Sequence, residues 1–279
     1  MIALGKYNTL TVVKAVDFGL YLDGEERGEI LLPNEYVPKN CFPGDELRVF
    51  IYFDSEDRII ATTETPHVAV GEFAVMKVVA TASVGAFLDW GLRKDLLVPF
   101  REQRDRMTEG KSYLVYAYLD DETDRIVATE KVEKYLGREA AAYEPGEAVD
   151  VLVARPSDLG FNVIINNAHW GLIYRNEVFQ PLRLGQKLKA FIREVRPDGK
   201  IDVVLQQGGY TQIDPLTRKI LEKIKDNGGV LDISDKTPPE MIYNIFGCSK
   251  KNYKKALGSL YKQGVIEIGE NEIRLLPEE

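Results

Sequence analysis

Three glycines recur along this chain with one fixed internal spacing. Gly5, Gly19 and Gly44 lie 66 residues before Gly71, Gly85 and Gly110, and Gly146, Gly160 and Gly185 lie 75 residues after that second set. All members of a set shift together, which chance placement of glycines would not do twice. The chain is therefore read as three copies of one unit, at residues 1–66, 67–132 and 143–208. A repeat of this kind limits the fold before any other feature is weighed.

Each copy reads as a small β-barrel. In the first, short apolar runs at 9–16, 20–22, 29–32, 47–53 and 58–62 are bounded by Gly, Pro, Asn or Asp, the signature of strands. Five strands in about 60 residues leave no room for crossover helices, so the strands are antiparallel neighbours that cover a core by curling shut. Gly19, Gly85 and Gly160 fall where a strand must bend, and a bulge is expected at each. Pro43-Gly44, Glu109-Gly110 and Leu184-Gly185 mark the turn into the longest strand.

Phe18-Gly19-Leu20-Tyr21-Leu22 and Val84-Gly85-Ala86-Phe87-Leu88 resemble the aromatic-Gly-Ala-Phe-Val core of S1 RNA-binding domains. Arg58-Ile59-Ile60-Ala61-Thr62 and Arg125-Ile126-Val127-Ala128-Thr129 resemble that family's final strand. The resemblance implies five-stranded OB-fold barrels that bind single-stranded RNA. Together with the carboxy-terminal segment read below, the arrangement is similar to the conserved virulence factor B family of bacterial RNA-binding regulators.

The net charge of −8 argues against coating nucleic acid by bulk electrostatics, so any such site must be local, built from stacking rings and a few cations. Acids crowd the turn before the last strand, in Asp54-Ser55-Glu56-Asp57 and Asp120-Asp121-Glu122-Thr123-Asp124, where solvated turn chemistry explains most of them. No apolar run is long enough to span a bilayer, the amino terminus lacks a signal peptide's pattern, and Cys41 and Cys248 stand in separate units. The cytoplasm is the expected compartment, with no membrane partner.

Within the copies, the ring positions differ. Copy one carries Phe18 and Tyr21 on either side of Gly19, and a bulge there would bring both rings to one face as a base-stacking platform. Arg58 is placed either to reach a phosphate or to pair with Asp54 or Glu56. Copy two keeps Phe87, has Val84 at the first ring position, and closes with Arg125. The S1 resemblance places a His where this chain has Pro33, Pro99 and Tyr174, which implies weaker RNA binding by copies one and two. Copy three has Leu159 and Asn162 at the ring positions but gathers Phe161, His169, Trp170 and Tyr174, followed by Arg193, Arg196 and Lys200. That makes it the better RNA candidate. Residues 131–142 between copies two and three read as a short helical linker.

After a polar linker at 206–211 the period changes. Asp214-Pro215 opens a helix, residues 230–233 form a short strand, Pro238-Pro239 opens a second helix, and Ser249 caps a third. Residues 265–268 and 272–276 make a hairpin. This order resembles a winged-helix domain, at 214–279, with residues 249–263 as recognition helix. Lys250, Lys251, Lys254, Lys255 and Lys262 lie in it without an acid. Ammonium groups suit phosphates more than base edges.

The expected fold is thus mainly β with a small α+β end: three tandem S1-like OB barrels and a winged helix. The expected function is non-catalytic binding of single-stranded RNA by a gene-expression regulator. The alternative is a transcription regulator that binds duplex DNA through the winged helix, with the barrels as protein-docking modules. His67 and His169 are the two histidines, neither beside a nucleophile, and no zinc spacing or phosphate loop is present. Neither an enzyme nor a cofactor is therefore expected.

Overall fold

The structure, a computed structural model, describes residues 1–137, 141–178, 181–205, 215–262 and 264–276. The chain divides into two compact units, Met1–Leu205 and Gln206–Glu279. The linker expected at 206–211 and the Asp214 cap lie outside the described residues.

The first barrel comprises β1 (Tyr7–Val16), β2 (Gly19–Asp23), β3 (Glu29–Pro33), β4 (Glu46–Phe53) and β5 (Ile59–Thr62). It closes in the order β1-β2-β3-β5-β4, with one parallel bridge between Leu31 and Ile60 joining β3 to β5. The third barrel repeats that order with β11 (Ala148–Pro156), β12 (Gly160–Ile165), β13 (His169–Tyr174), β14 (Lys187–Val195) and β15 (Ile201–Val204). Its closure is firmer, with three parallel pairs between β13 and β15.

The second unit departs from the expected closed barrel. Its strands, β6 (Phe73–Ala82), β7 (Gly85–Leu88), β8 (Leu96–Pro99), β9 (Ser112–Asp120) and β10 (Arg125–Thr129), form a five-stranded sheet in the order β10-β9-β6-β7-β8. β8 and β10 remain neighbours without the ladder that the other two barrels carry there.

The glycine frame has a direct structural cause. The backbone N–H of Gly44 donates to Val12 O, that of Gly110 to Val78 O, and that of Gly185 to Val153 O, at 2.8, 2.9 and 2.8 Å. Each of these glycines has a left-handed φ of +97°, +81° and +81° respectively, a backbone state that glycine adopts without steric cost. The accepting valines sit just before a register shift at Val12/Lys14, Val78/Ala80 and Val153/Arg155. The bulge expected at Gly19, Gly85 and Gly160 is therefore in the preceding strand. Those three glycines answer a different demand: a Cβ on Gly19, Gly85 or Gly160 would meet the carbonyl oxygen of Leu32, Val98 or Ile173 at 2.2, 2.2 or 2.0 Å.

The barrels pack into one another. Phe50 and Tyr52 of the first share a buried cluster with Val78, Leu88, Trp90 and Val98 of the second. Trp90 meets Phe50 and Tyr52 edge-on at 5.8 and 5.9 Å, and its indole N–H donates to Val68 O at 2.8 Å. Between the second and third, Phe73 and Val132 pack on Leu152, Ala154 and Ile164. Of the helical linker expected over 131–142, the described residues contain a 3-10 turn, Val132–Tyr135. Its Tyr135 ring stacks on Tyr116 at 3.9 Å, so ring packing takes the place that helix propensity alone suggested.

The second compact unit contains α1 (Pro215–Asp226), β16 (Val230–Leu231), α2 (Pro239–Phe246), α3 (Lys250–Lys262), β17 (Ile266–Ile268) and β18 (Ile273–Leu275), with sheet order β16-β18-β17. Ile220, Ile224, Ile242, Tyr253, Leu257, Leu260 and Ile273 form its core, so the apolar stripe of α3 faces inward as amphipathic spacing requires.

Candidate nucleic-acid interface

Strand register makes one surface of the three barrels equivalent. Tyr21 pairs with Leu31, Phe87 with Leu97, and Asn162 with Leu172. Arg58 immediately precedes β5, Arg125 opens β10, and Lys200 immediately precedes β15. Each barrel therefore presents a cleft with a ring or amide on its second strand, a leucine beside it, and a cation where the last strand begins. The pairings of Gly19 with Pro33, Gly85 with Pro99 and Gly160 with Tyr174 place those three residues at one common position.

In the first cleft, Phe18 and Tyr21 do come together, edge-on at 6.2 Å. The cause is not a bulge at Gly19: Phe18 stands in the β1–β2 turn, outside strand alternation. Phe18 is 56% exposed, and the Lys14 ammonium lies 4.9 Å from the Tyr21 ring centre. Arg58 joins them at a cleft of about 630 Å³, but its guanidinium is held by Asp54 at 2.7 Å and Glu56 at 3.1 Å. Burial would raise the Asp54 carboxyl, yet hydrogen bonds from the Arg58 and Glu56 backbones and from the Arg58 side chain outweigh it and hold the group below the usual carboxylate range.

The second cleft holds Phe87 and Arg125 with exposed Val84, and measures about 290 Å³. Arg125 forms an ion pair with Asp57 of the first barrel. Lys94 reaches the same carboxylate at 3.4 Å.

The third cleft, about 770 Å³, gathers Trp170, His169, Lys200, Arg196, Asn162 and Leu159. Phe161 does not join them. It alternates with Asn162 along β12, and its ring packs against the barrel core, because neighbouring strand residues face opposite sides. Tyr174 is drawn in indirectly, its hydroxyl accepting from the Arg196 guanidinium. That guanidinium also chelates Asp202, at 3.0 and 2.7 Å. Lys200 pairs with Asp198 at 3.0 Å, and His169 Nδ1 lies 2.9 Å from the Tyr143 hydroxyl. Arg193 is instead turned onto Glu177 at 3.1 Å.

One side chain that contacts this cleft's Trp170 was not singled out in the sequence. Arg155, on β11 opposite Asn162, lays its guanidinium 4.8 Å from the Trp170 ring centre. The signal was available as the residue that follows the bulge, but only the register reveals that it faces Trp170. A tryptophan covered by a guanidinium, with Arg196 and Lys200 beside it, offers a flat stacking surface and charge for a backbone.

On α3 the four lysines of the first half, of five in the helix, separate into two pairs. Lys250 donates to Lys236 O at 3.1 Å and Lys254 pairs with Asp235 at 3.2 Å. Lys251 and Lys255 are exposed, and no ion pair engages them among the described residues. Ser249 caps the helix, its hydroxyl accepting from the Asn252 N–H at 3.3 Å. No group of three or more His, Cys, Asp or Glu side chains is placed to hold a metal among the described residues, and no described helix is long and apolar enough to cross a membrane.

The S1 domain model matches residues 4–64 and 70–131, and the model of the CvfB-like winged helix domain matches residues 218–275. The third barrel has the strand order and register of the first. An uncharacterised Bacillus subtilis protein, YitL, is 27% identical over 94% of this chain and 90% of its own length. Conserved virulence factor B of Staphylococcus saprophyticus is 25% identical over 83% of this chain and 80% of its own. A crystal structure of a multidomain protein with nucleic-acid-binding domains from Streptococcus pneumoniae aligns over 98% of both chains at 24% identity, with a TM-score of 0.42.

Proposed function

This chain belongs to the conserved virulence factor B family of S1-domain and winged-helix proteins, and from that premise we propose that it is a non-catalytic regulator of gene expression that binds single-stranded RNA. The observation that carries this reading is the third cleft, where Trp170 lies under Arg155 and beside Arg196 and Lys200. A ring of this kind accepts any base on its face, and the cations accept the backbone, so the binding is tolerant of sequence. The α3 lysines supply a second, phosphate-directed contact.

Two features favour RNA over a duplex-DNA reading. Stacking needs unpaired bases, which a duplex does not offer. The α3 surface exposes lysine ammonium groups, point charges that suit repeating phosphates and give little base readout. Titration of the full chain with single-stranded RNA, single-stranded DNA and duplex DNA at two salt concentrations tests the proposal. Tightest binding to RNA is expected, and Trp170→Ala should weaken it by roughly tenfold. Tightest binding to duplex DNA, unchanged by Trp170→Ala, would instead assign the function to the winged helix.

A further inference from the structure

The three clefts share a register, yet they differ in what fills them. The turn between β4 and β5 of the first barrel carries Asp54, Glu56 and Asp57, and its neighbours Phe53 and Ser55 line the second barrel's cleft together with Asp57. Asp57 adopts a left-handed φ of +60°, which a short polar side chain tolerates better than most. Its carboxylate pairs with Arg125, the residue at the place of Arg58 and Lys200. Lys94 donates to Asp54 O at 2.6 Å and approaches the Asp57 carboxylate at 3.4 Å. An anion thus rests between two cations in the cleft that Phe87 and Leu97 also line, the charge arrangement a phosphodiester would require.

In the other barrels the cation at this place is paired from within its own barrel, Arg58 with Asp54 and Glu56 and Lys200 with Asp198. The second barrel's own acidic turn folds back on its own Arg101, which holds Asp120 at 3.0 Å and Glu122 at 2.9 Å. No residue of that turn lines the third cleft. The second cleft is correspondingly the smallest, about 290 Å³ against about 630 and 770 Å³. Behind the seated turn, the Phe50, Tyr52 and Trp90 contact is buried, so the turn is held by the packing of two barrels as well as by charge.

We infer that the second barrel's cleft is a seat for the first barrel's acidic turn, with the Asp57 carboxylate standing where a nucleic-acid phosphate would, so that only the first and third clefts are open to single strands. The inference rests on the reading of these clefts as nucleic-acid sites. A strand entering the second cleft would have to displace Asp57 from Arg125 and lie beside the carboxylates of Asp57 and Asp95, an electrostatically opposed placement.

The test uses the full chain with photoreactive p-benzoylphenylalanine at position 87 or position 170 and a labelled oligouridylate as probe. Crosslinking is expected at 170 and not at 87, and Asp57→Asn should bring it up at 87. Equal yields at 87 and 170 with Asp57 intact would overturn the inference. A stability cycle with Asp57→Asn, Arg125→Gln and the double variant gives a readout without RNA. The double variant's unfolding constant should fall short of the product of the single effects by several-fold; independent effects would overturn the seat. A chain that binds the probe without crosslinking at 170 would refute the third-cleft reading, and one that binds no probe would refute RNA binding itself. In both cases the stability cycle still decides whether Asp57 is seated.

Discussion

The side-chain carbonyl of Asn167, in the third barrel, accepts the backbone N–H of Phe73, in the second, at 3.0 Å. The same amide donates to Gly71 O. One side chain thereby completes two backbone groups of a neighbouring barrel, and it does so from a left-handed φ of +58°. Asn167→Gly keeps the backbone state and removes both bonds, so it should cost roughly 1–3 kcal/mol. Asn167→Ala adds backbone strain and should cost more. Denaturant unfolding of both variants checks the order, and an Ala variant as stable as the Gly variant would contradict it.

The close approach at the second-strand glycines gives a sharper expectation. In Gly160→Ala the new methyl would sit 2.0 Å from Ile173 O, so β12 and β13 must part. Gly199→Ala serves as a comparison, because its φ of +79° is further into the left-handed region than the +158° of Gly160, but nothing lies within 4 Å of the added methyl. The first should lower the melting temperature well beyond the second. Equal losses would mean that backbone conformation, and not the cross-strand contact, fixes glycine at 160.

The division of the α3 lysines predicts unequal roles in nucleic-acid binding. Lys251 and Lys255 are the pair without an ion partner among the described residues, whereas Lys250 and Lys254 are held by Lys236 O and Asp235. Lys251→Ala with Lys255→Ala should flatten the plot of log affinity against log salt for single-stranded RNA by about 1.4. Lys250→Ala with Lys254→Ala should change it less. Folding should survive both changes, since the buried face of α3 is Tyr253, Ala256, Leu257 and Leu260. Identical slopes for all variants would remove α3 from the interface.

Acid sensitivity should concentrate at the first barrel's acidic turn. The Asp54 carboxyl is held below its ordinary value. Its contribution to stability is therefore complete above the unfolded pKa of about 3.9 and is lost as pH falls through the lower folded value. Melting temperatures of the native chain and Asp54→Asn should differ above about pH 5 and converge as the pH is taken below about 4. A gap that stays constant with pH would show that the hydrogen-bonding shape of Asp54 matters and its charge does not.

Much of the fold was legible because glycine spacing records backbone demands that no other residue meets. The thrice-repeated bond from Gly44, Gly110 and Gly185 to a valine carbonyl is such a demand. The winged helix was legible from Pro238-Pro239, Ser249 and the change of apolar period. What the sequence did not carry was anything decided by strand register within a barrel or by pairing across barrels. The inward turn of Phe161 depends on β12 alternation fixed by register. The placement of Arg155 over Trp170 depends on the bulge just before it in β11. The destination of Asp57 depends on how two barrels meet. Turn chemistry explained why acids occur at 54–57, and it gave no reason for an arginine 68 residues later to find one of them.

The shared cluster around Trp90 changes what a fragment of this chain would be. Phe50 and Tyr52 are 0% and 1% exposed, and both belong by strand to the first barrel while their neighbours belong to the second. Cutting between residues 66 and 67 would therefore leave two pieces that each expose a large aromatic surface, prone to associate or to melt. In an unfolding experiment the first two repeats should lose structure in one transition, with a cooperative size set by their sum. Counting repeats in the sequence gives the number of barrels; counting melting units would give a smaller number.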